Sequence, residues 1–141
     1  MKVPSEYMGL ILQEMDFAIA KMREAKGTEG MLYYFSACHG SINRVMNFFC
    51  DPMLVFVHQV LATVHGALTG RIAATKGQVE TPVVVSEEML EKLGEYLQQL
   101  RSALQEQQEP RIYEVLMRLS NLAYATTGNG FYLYLRGMLK L

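Results

Sequence analysis

The chain has 141 residues, enough for one domain that buries most of the surface its unfolded form exposes, so a single domain over 1–141 is expected. Half of the residues are apolar and 19% are charged, which excludes a chain kept disordered by low hydrophobicity and high charge. Thirteen Lys+Arg against fourteen Asp+Glu leave a net charge of -1 and no basic stretch, so nucleic acid is not expected as a main ligand.

From Ser5 to Ala25, Met8, Ile11, Leu12, Met15, Ala18, Ile19 and Met22 recur at three- and four-residue steps, the signature of one apolar helix face. Lys26-Gly27 predicts its end, with the glycine in the left-handed cap conformation. A second helix is expected over about Gly30–Phe49, with Phe35, Cys38, Ile42, Val45, Met46 and Phe49 on one face. Ser36, His39, Gly40, Asn43 and Asn47 form a polar stripe beside it. Asp51-Pro52 is the clearest local signal: aspartate caps a helix, and proline at the first position gives up a donor that is orphaned anyway.

The third helix then runs to about Thr75, apolar around most of its circumference, and is expected to be the most buried element, with Leu54, Phe56, Leu61 and Val64 in the core. Its later half is built of small residues, among them Ala62, Gly66, Gly70 and Ala73, which lets another helix approach closely. A loop follows over Lys76–Pro82, and Val83–Val85 reads as a short extended segment. Ser86-Glu87-Glu88 caps and charges a fourth helix. Leu90, Leu93, Leu97, Leu100 and Leu104 give that helix one narrow seam and an otherwise exposed surface.

Pro110 starts a fifth helix, with Ile112, Val115, Leu116, Leu119, Leu122 and Ala123 facing inward, and Thr126–Gly130 interrupts it before a short final helix within Phe131–Leu141. Short connections favour antiparallel neighbours, so the expected fold is all-α: an antiparallel up-and-down bundle of four or five main helices plus a short C-terminal helix. No internal repeat or low-complexity segment is present.

The two cysteines, Cys38 and Cys50, have neither CxxC spacing nor the density of a secreted scaffold, and MKVPSEYMG lacks a signal-peptide apolar region; a cytoplasmic location is expected. The strongly apolar run Pro52–Val64, interrupted by His58 and Gln59, falls short of the roughly 20 residues of a bilayer span, so none is expected.

Three histidines raise the question of a metal or haem. His58 and His65 are seven apart, about 10 Å along one helix axis, too far to share one ion, and His39 on the second helix is expected to reach only one of them. Neither an ExxH pair nor CxxCH is present, so no metal or cofactor is expected. Adjacent helical side chains project about 100° apart, so His39 does not activate Cys38 as a nucleophile. The arginine–histidine motif of HEPN-type ribonucleases is not met, because Arg44 is followed by Phe49 and Cys50. Glu87, Glu88, Glu91 and Glu95 form an acidic run with no second acidic cluster, which favours a solvated helix start over a magnesium site.

Ten methionines, with Met8, Met15 and Met22 at heptad steps, suit either a core row or a groove that re-packs around helical partners. Size, helix content and methionine usage resemble those of bundle chaperones for secreted flagellar or effector proteins, a likeness at the level of fold that implies protein binding. The expectation is a non-catalytic interaction module, homo-oligomeric and docking a partner protein, with Tyr33, Tyr34, Phe131, Tyr134, Leu135 and Met138 as candidate contacts. The alternative is an enzyme or small-ligand site between the second and third helices, around His39, Asn43, Arg44, His58 and His65.

Overall fold

The computed structural model describes residues 1–77 and 81–141, and six helices account for most of them. They are α1 (Ser5–Glu24), α2 (Thr28–Met46), α3 (Pro52–Lys76), α4 (Glu87–Glu106), α5 (Glu109–Tyr124) and α6 (Gly128–Leu135). The expected loop Lys76–Pro82 has its centre, 78–80, outside the described residues.

Three helix starts follow from side chains that satisfy orphan backbone donors. Asp51 Oδ1 accepts from Met53 N at 2.8 Å, with Pro52 at the first position of α3. Ser86 Oγ accepts from Met89 N at 3.2 Å, and Thr127 Oγ1 from Gly130 N at 3.1 Å. Gly27 departs from expectation. It is the N-cap of α2 with φ -145°, in extended backbone, and α1 has already ended at Glu24. α2 also stops earlier than its apolar pattern suggests, at Met46 rather than Phe49. Val83–Val85 forms no strand; Val83 is buried, Val84 exposed and Val85 half-buried, so the segment straps the bundle by alternate side chains.

The fold is the all-α bundle expected, with its short C-terminal helix. Helix contacts close a circuit in the order α1, α2, α3, α5, α4 and back to α1. Sequential neighbours α1–α2, α2–α3 and α4–α5 pack antiparallel, and so do α1 and α4, where Arg101 Nε donates to Asp16 Oδ1 at 2.8 Å and Gln107 Nε2 to Val3 O at 2.9 Å. An odd circuit of alternating helices must contain one parallel pair. It is α3–α5: the Phe56 ring packs at a tilt against Tyr113 at one end, and Arg71 Nε donates to Thr126 O at 3.1 Å at the other.

This arrangement removes the difference in burial expected between α3 and α4, each of which buries seven residues. α4 is buried along two rows, Leu93–Leu97–Leu100–Leu104 and Met89–Tyr96–Ala103, because it lies between α1 and α5 and must face both. Leu90, expected in its seam, is only half-buried. α3 keeps Leu54, Val57, Leu61, Val64 and Leu68 in the core, but Phe56 is 39% exposed and turns outward. Nothing in the described chain approaches within 4 Å of a side chain placed at Gly66 or Gly70, so these two glycines lie on an open face of α3 while Leu68 between them is buried. By length and composition α3 could cross a bilayer, yet only 39% of its most apolar window is buried in the bundle.

Candidate functional site

The three histidines converge between α2 and α3. His39 lies one antiparallel helix across from the midpoint of the His58–His65 interval, and its ring centroid is 5.7 Å from that of His58 and 5.4 Å from that of His65. The expectation that His39 reaches only one of them is thereby corrected: two turns of helix separate His58 from His65, and a ring entering midway touches both. Phe35, one turn before His39, closes the cluster with its centroid 5.7 Å from His65. His39 Nε2 is buried without a hydrogen-bond partner among the described residues. Burial, then repulsion from His65 and His58, holds the His39 imidazole below its ordinary range and therefore favours the neutral ring.

Asn43 and Arg44 are not brought to this cluster. Both are exposed, and Arg44 Nη2 reaches across to Glu14 Oε2 of α1 at 3.8 Å. Cys38 is fully buried, and burial pushes its thiol up to about 12, so it is a small core side chain and not a thiolate. Cys50 is exposed. Among the described residues, no group of three or more His, Cys, Asp or Glu is placed to hold a metal ion. General acid–base or nucleophilic work requires a reacting pair within hydrogen-bond reach, oriented by a third group. The cluster supplies rings in edge contact and no such relay.

The candidate contact residues divide. Tyr33 is 71% exposed and packs edge-on against the half-buried Tyr34 at 5.2 Å. Leu135 and Met138 are exposed. Phe131 is not available at the surface: it is 6% exposed, drawn inward where Thr127 begins α6 and seats the helix against the bundle. Tyr134 is half-buried, and its hydroxyl donates to Glu88 at the start of α4, which raises the tyrosine's pKa.

Several apolar depressions lie along the bundle among the described residues, two of them on the α3–α5 and α1–α4 faces. Between α3 and α5 a groove of about 390 Å³ is lined by Val60, Val64, Ala67, Ala123 and Tyr124 with the uncharged Gln59, Thr63, Ser120 and Thr127. Exposed Phe56, Tyr113 and Met117 lie on the same two helices, the first two with ring centroids 5.4 Å apart. The nearest charges on α5, Glu114 and Arg118, pair with each other at 2.7 Å.

Between α1 and α4 a larger groove of about 570 Å³ has Ile19, Met22, Met31, Leu90 and Gly94 along it and Arg23, Glu87, Glu91 and Glu95 around it. Neither groove stands out in the sequence. The signal for the first was Tyr113, Met117 and Tyr124, off the inward face of α5 at helical spacing; for the second it was Glu87, Glu91 and Glu95 at four-residue steps, a pattern equally typical of a solvated face.

In comparisons with known proteins, no family model, no curated protein and no solved structure matches this chain.

Proposed function

We propose that this chain is a non-catalytic interaction module, a cytoplasmic helical bundle that associates with a second copy of itself and docks a partner protein. The observation that carries the reading is the uncovered α3–α5 face. α3 is the most apolar long helix of the chain, yet much of it remains outside the core, and α5 adds Tyr113, Met117 and Tyr124 beside it. Contiguous exposed apolar surface on a small domain generally marks an interface.

A face two helices wide and about 24–37 Å long, at 1.5 Å per residue for α5 and α3, offers roughly 500–700 Å². That meets the roughly 500 Å² per partner expected of a biological interface. Its uncharged lining lets two copies meet without like-charge repulsion, as a two-fold contact requires.

Affinity capture from native cell extract, using the intact chain, tests the docking half of the reading. One defined protein retained in near-stoichiometric amount is expected; stoichiometric metal or cofactor in the purified protein, with no protein retained, overturns it. A second reading, a small-ligand or catalytic site at His39, His58 and His65, is favoured by one observation, the unpartnered buried Nε2 of His39. Its weakness is chemical: Asn43 and Arg44, which would have completed it, face away.

A further inference from the structure

We infer that the groove between α1 and α4 is the partner-docking surface, and that its occupant is an amphipathic helix with an apolar stripe edged by Lys or Arg. The inference rests on the interaction-module reading and adds the place and the partner's chemistry. The floor is made of Met22, Met31, Leu90 and Gly94. Unbranched methionines adapt to differing apolar anchors, and a helix seated in such a groove presents residues at i, i+3 or i+4, and i+7.

Gly94 has no structural reason to be glycine. It lies inside α4 with φ outside the left-handed region, and a Cβ built there meets nothing within 4 Å. Glycine in a helix interior lowers helix propensity, so its effect here is to leave the floor of the groove open.

The rim supplies the charge preference. Glu87, Glu91 and Glu95 stand at successive turns of α4, all exposed, along the groove. Glu95 is paired with Lys92 at 3.2 Å, whereas Glu87 and Glu91 make no ion pair among the described residues. Arg23, which lines the groove, donates from Nη2 to Gln98 at 3.5 Å. With Glu95 offset by Lys92, Glu87 and Glu91 against the guanidinium of Arg23 leave the rim net acidic by one charge, and a row at four-residue spacing matches basic residues at the same spacing on a partner helix.

The test uses the full chain and two fluorescein-labelled helical peptides that share a leucine stripe, one edged with lysines and its twin with glutamates. At low ionic strength the basic peptide is expected to bind saturably by anisotropy, on the order of tenfold or more tighter than the acidic twin, and to weaken as salt rises. Gly94→Leu, which fills the floor while improving helix propensity, is expected to reduce that affinity by about tenfold or more. The surface pair Glu87→Gln/Glu91→Gln, which touches no core contact, is expected to weaken binding and flatten its salt dependence.

Equal binding of the two peptides, absence of binding, or binding indifferent to both variants overturns the groove assignment. If the wild-type chain and Gly94→Leu capture the same protein from extract equally well, the groove assignment fails while the interaction-module reading stands. If the wild-type chain captures nothing, the module reading itself has failed.

Discussion

His39 carries a buried nitrogen with no partner among the described residues and two further imidazoles against its ring, so the fold favours its neutral form. The unfolded chain then binds more protons than the native one wherever pH lies between the native value and the ordinary 6.5, and stability rises with pH across that interval. The stabilisation is present in full above about 6.5 and is lost as pH falls towards the lowered native value. Denaturant midpoints measured between pH 7.5 and 5 are expected to fall with acidification. His39→Phe, which removes the orphan nitrogen but keeps an aromatic ring, is expected to be at least as stable at neutral pH and to show a flatter profile. A wild-type midpoint that rises on acidification would contradict this account. At the same scale Leu61, fully buried on the inner face of α3, tests the core: Leu61→Ala is expected to cost about 2–5 kcal/mol in chemical denaturation.

Among the elements, the two ends of the α4–α5 hairpin show how backbone geometry is fixed by side chains far away in sequence. Gln107 ends α4 in the left-handed conformation at φ 51°, and its side-chain amide grips Val3 twice, accepting from Val3 N at 2.8 Å and donating to Val3 O at 2.9 Å. The two bonds tie the segment before α1 to the α4–α5 turn, and the N-terminal amine adds an ion pair with Glu109.

At the other end of α5, Gly130 enters α6 so close to the preceding turn that a Cβ would lie 1.7 Å from Tyr124 O, a backbone atom that cannot swing aside. Gly130→Ala is therefore expected to destabilise by roughly 1–3 kcal/mol, the cost of forcing atoms into packed space. Wild-type thermal stability in that variant would show that α6 can seat differently. Gly66, with nothing within 4 Å, gives the contrasting case in which alanine meets no obstruction.

For the molecule as a whole, the circuit of five helices leaves its single parallel contact, α3–α5, as one face with uncovered apolar surface. We expect a homodimer at high micromolar concentration by light scattering, and a monomer for Met117→Lys with unchanged helix content, because the substitution puts a charge on an exposed apolar position that self-association would desolvate. A wild-type monomer under those conditions would sink the self-association reading. The α1–α4 groove lies on different helices, so a dimer through α3–α5 leaves it open to a partner.

Much of this was legible in the chain itself, for a local reason. Helix starts at Asp51-Pro52 and Ser86, and the inward faces of α1 and α5, depend on contacts within a few residues and on a 3.6-residue period, whereas α6 runs over Gly128–Leu135, starting inside the stretch expected as a turn and ending short of Leu141. Which helix lies at the centre did not follow from apolar content. α3 is richer in apolar residues than α4, but each lies between two neighbours and each buries seven residues, and the order α1–α2–α3–α5–α4 is set by packing across 80 to 100 residues of sequence.

The histidine cluster was half legible. Spacing on one helix separated His58 from His65 correctly, while only the antiparallel register of α2 on α3 could place His39 between them. The same register turned Asn43 and Arg44 towards solvent and α1. The sequence therefore determined the helices and most of their inner faces, because those are local properties of the chain. The tertiary structure alone decided which apolar and acidic faces remain uncovered, because a surface is defined by whatever fails to pack on it.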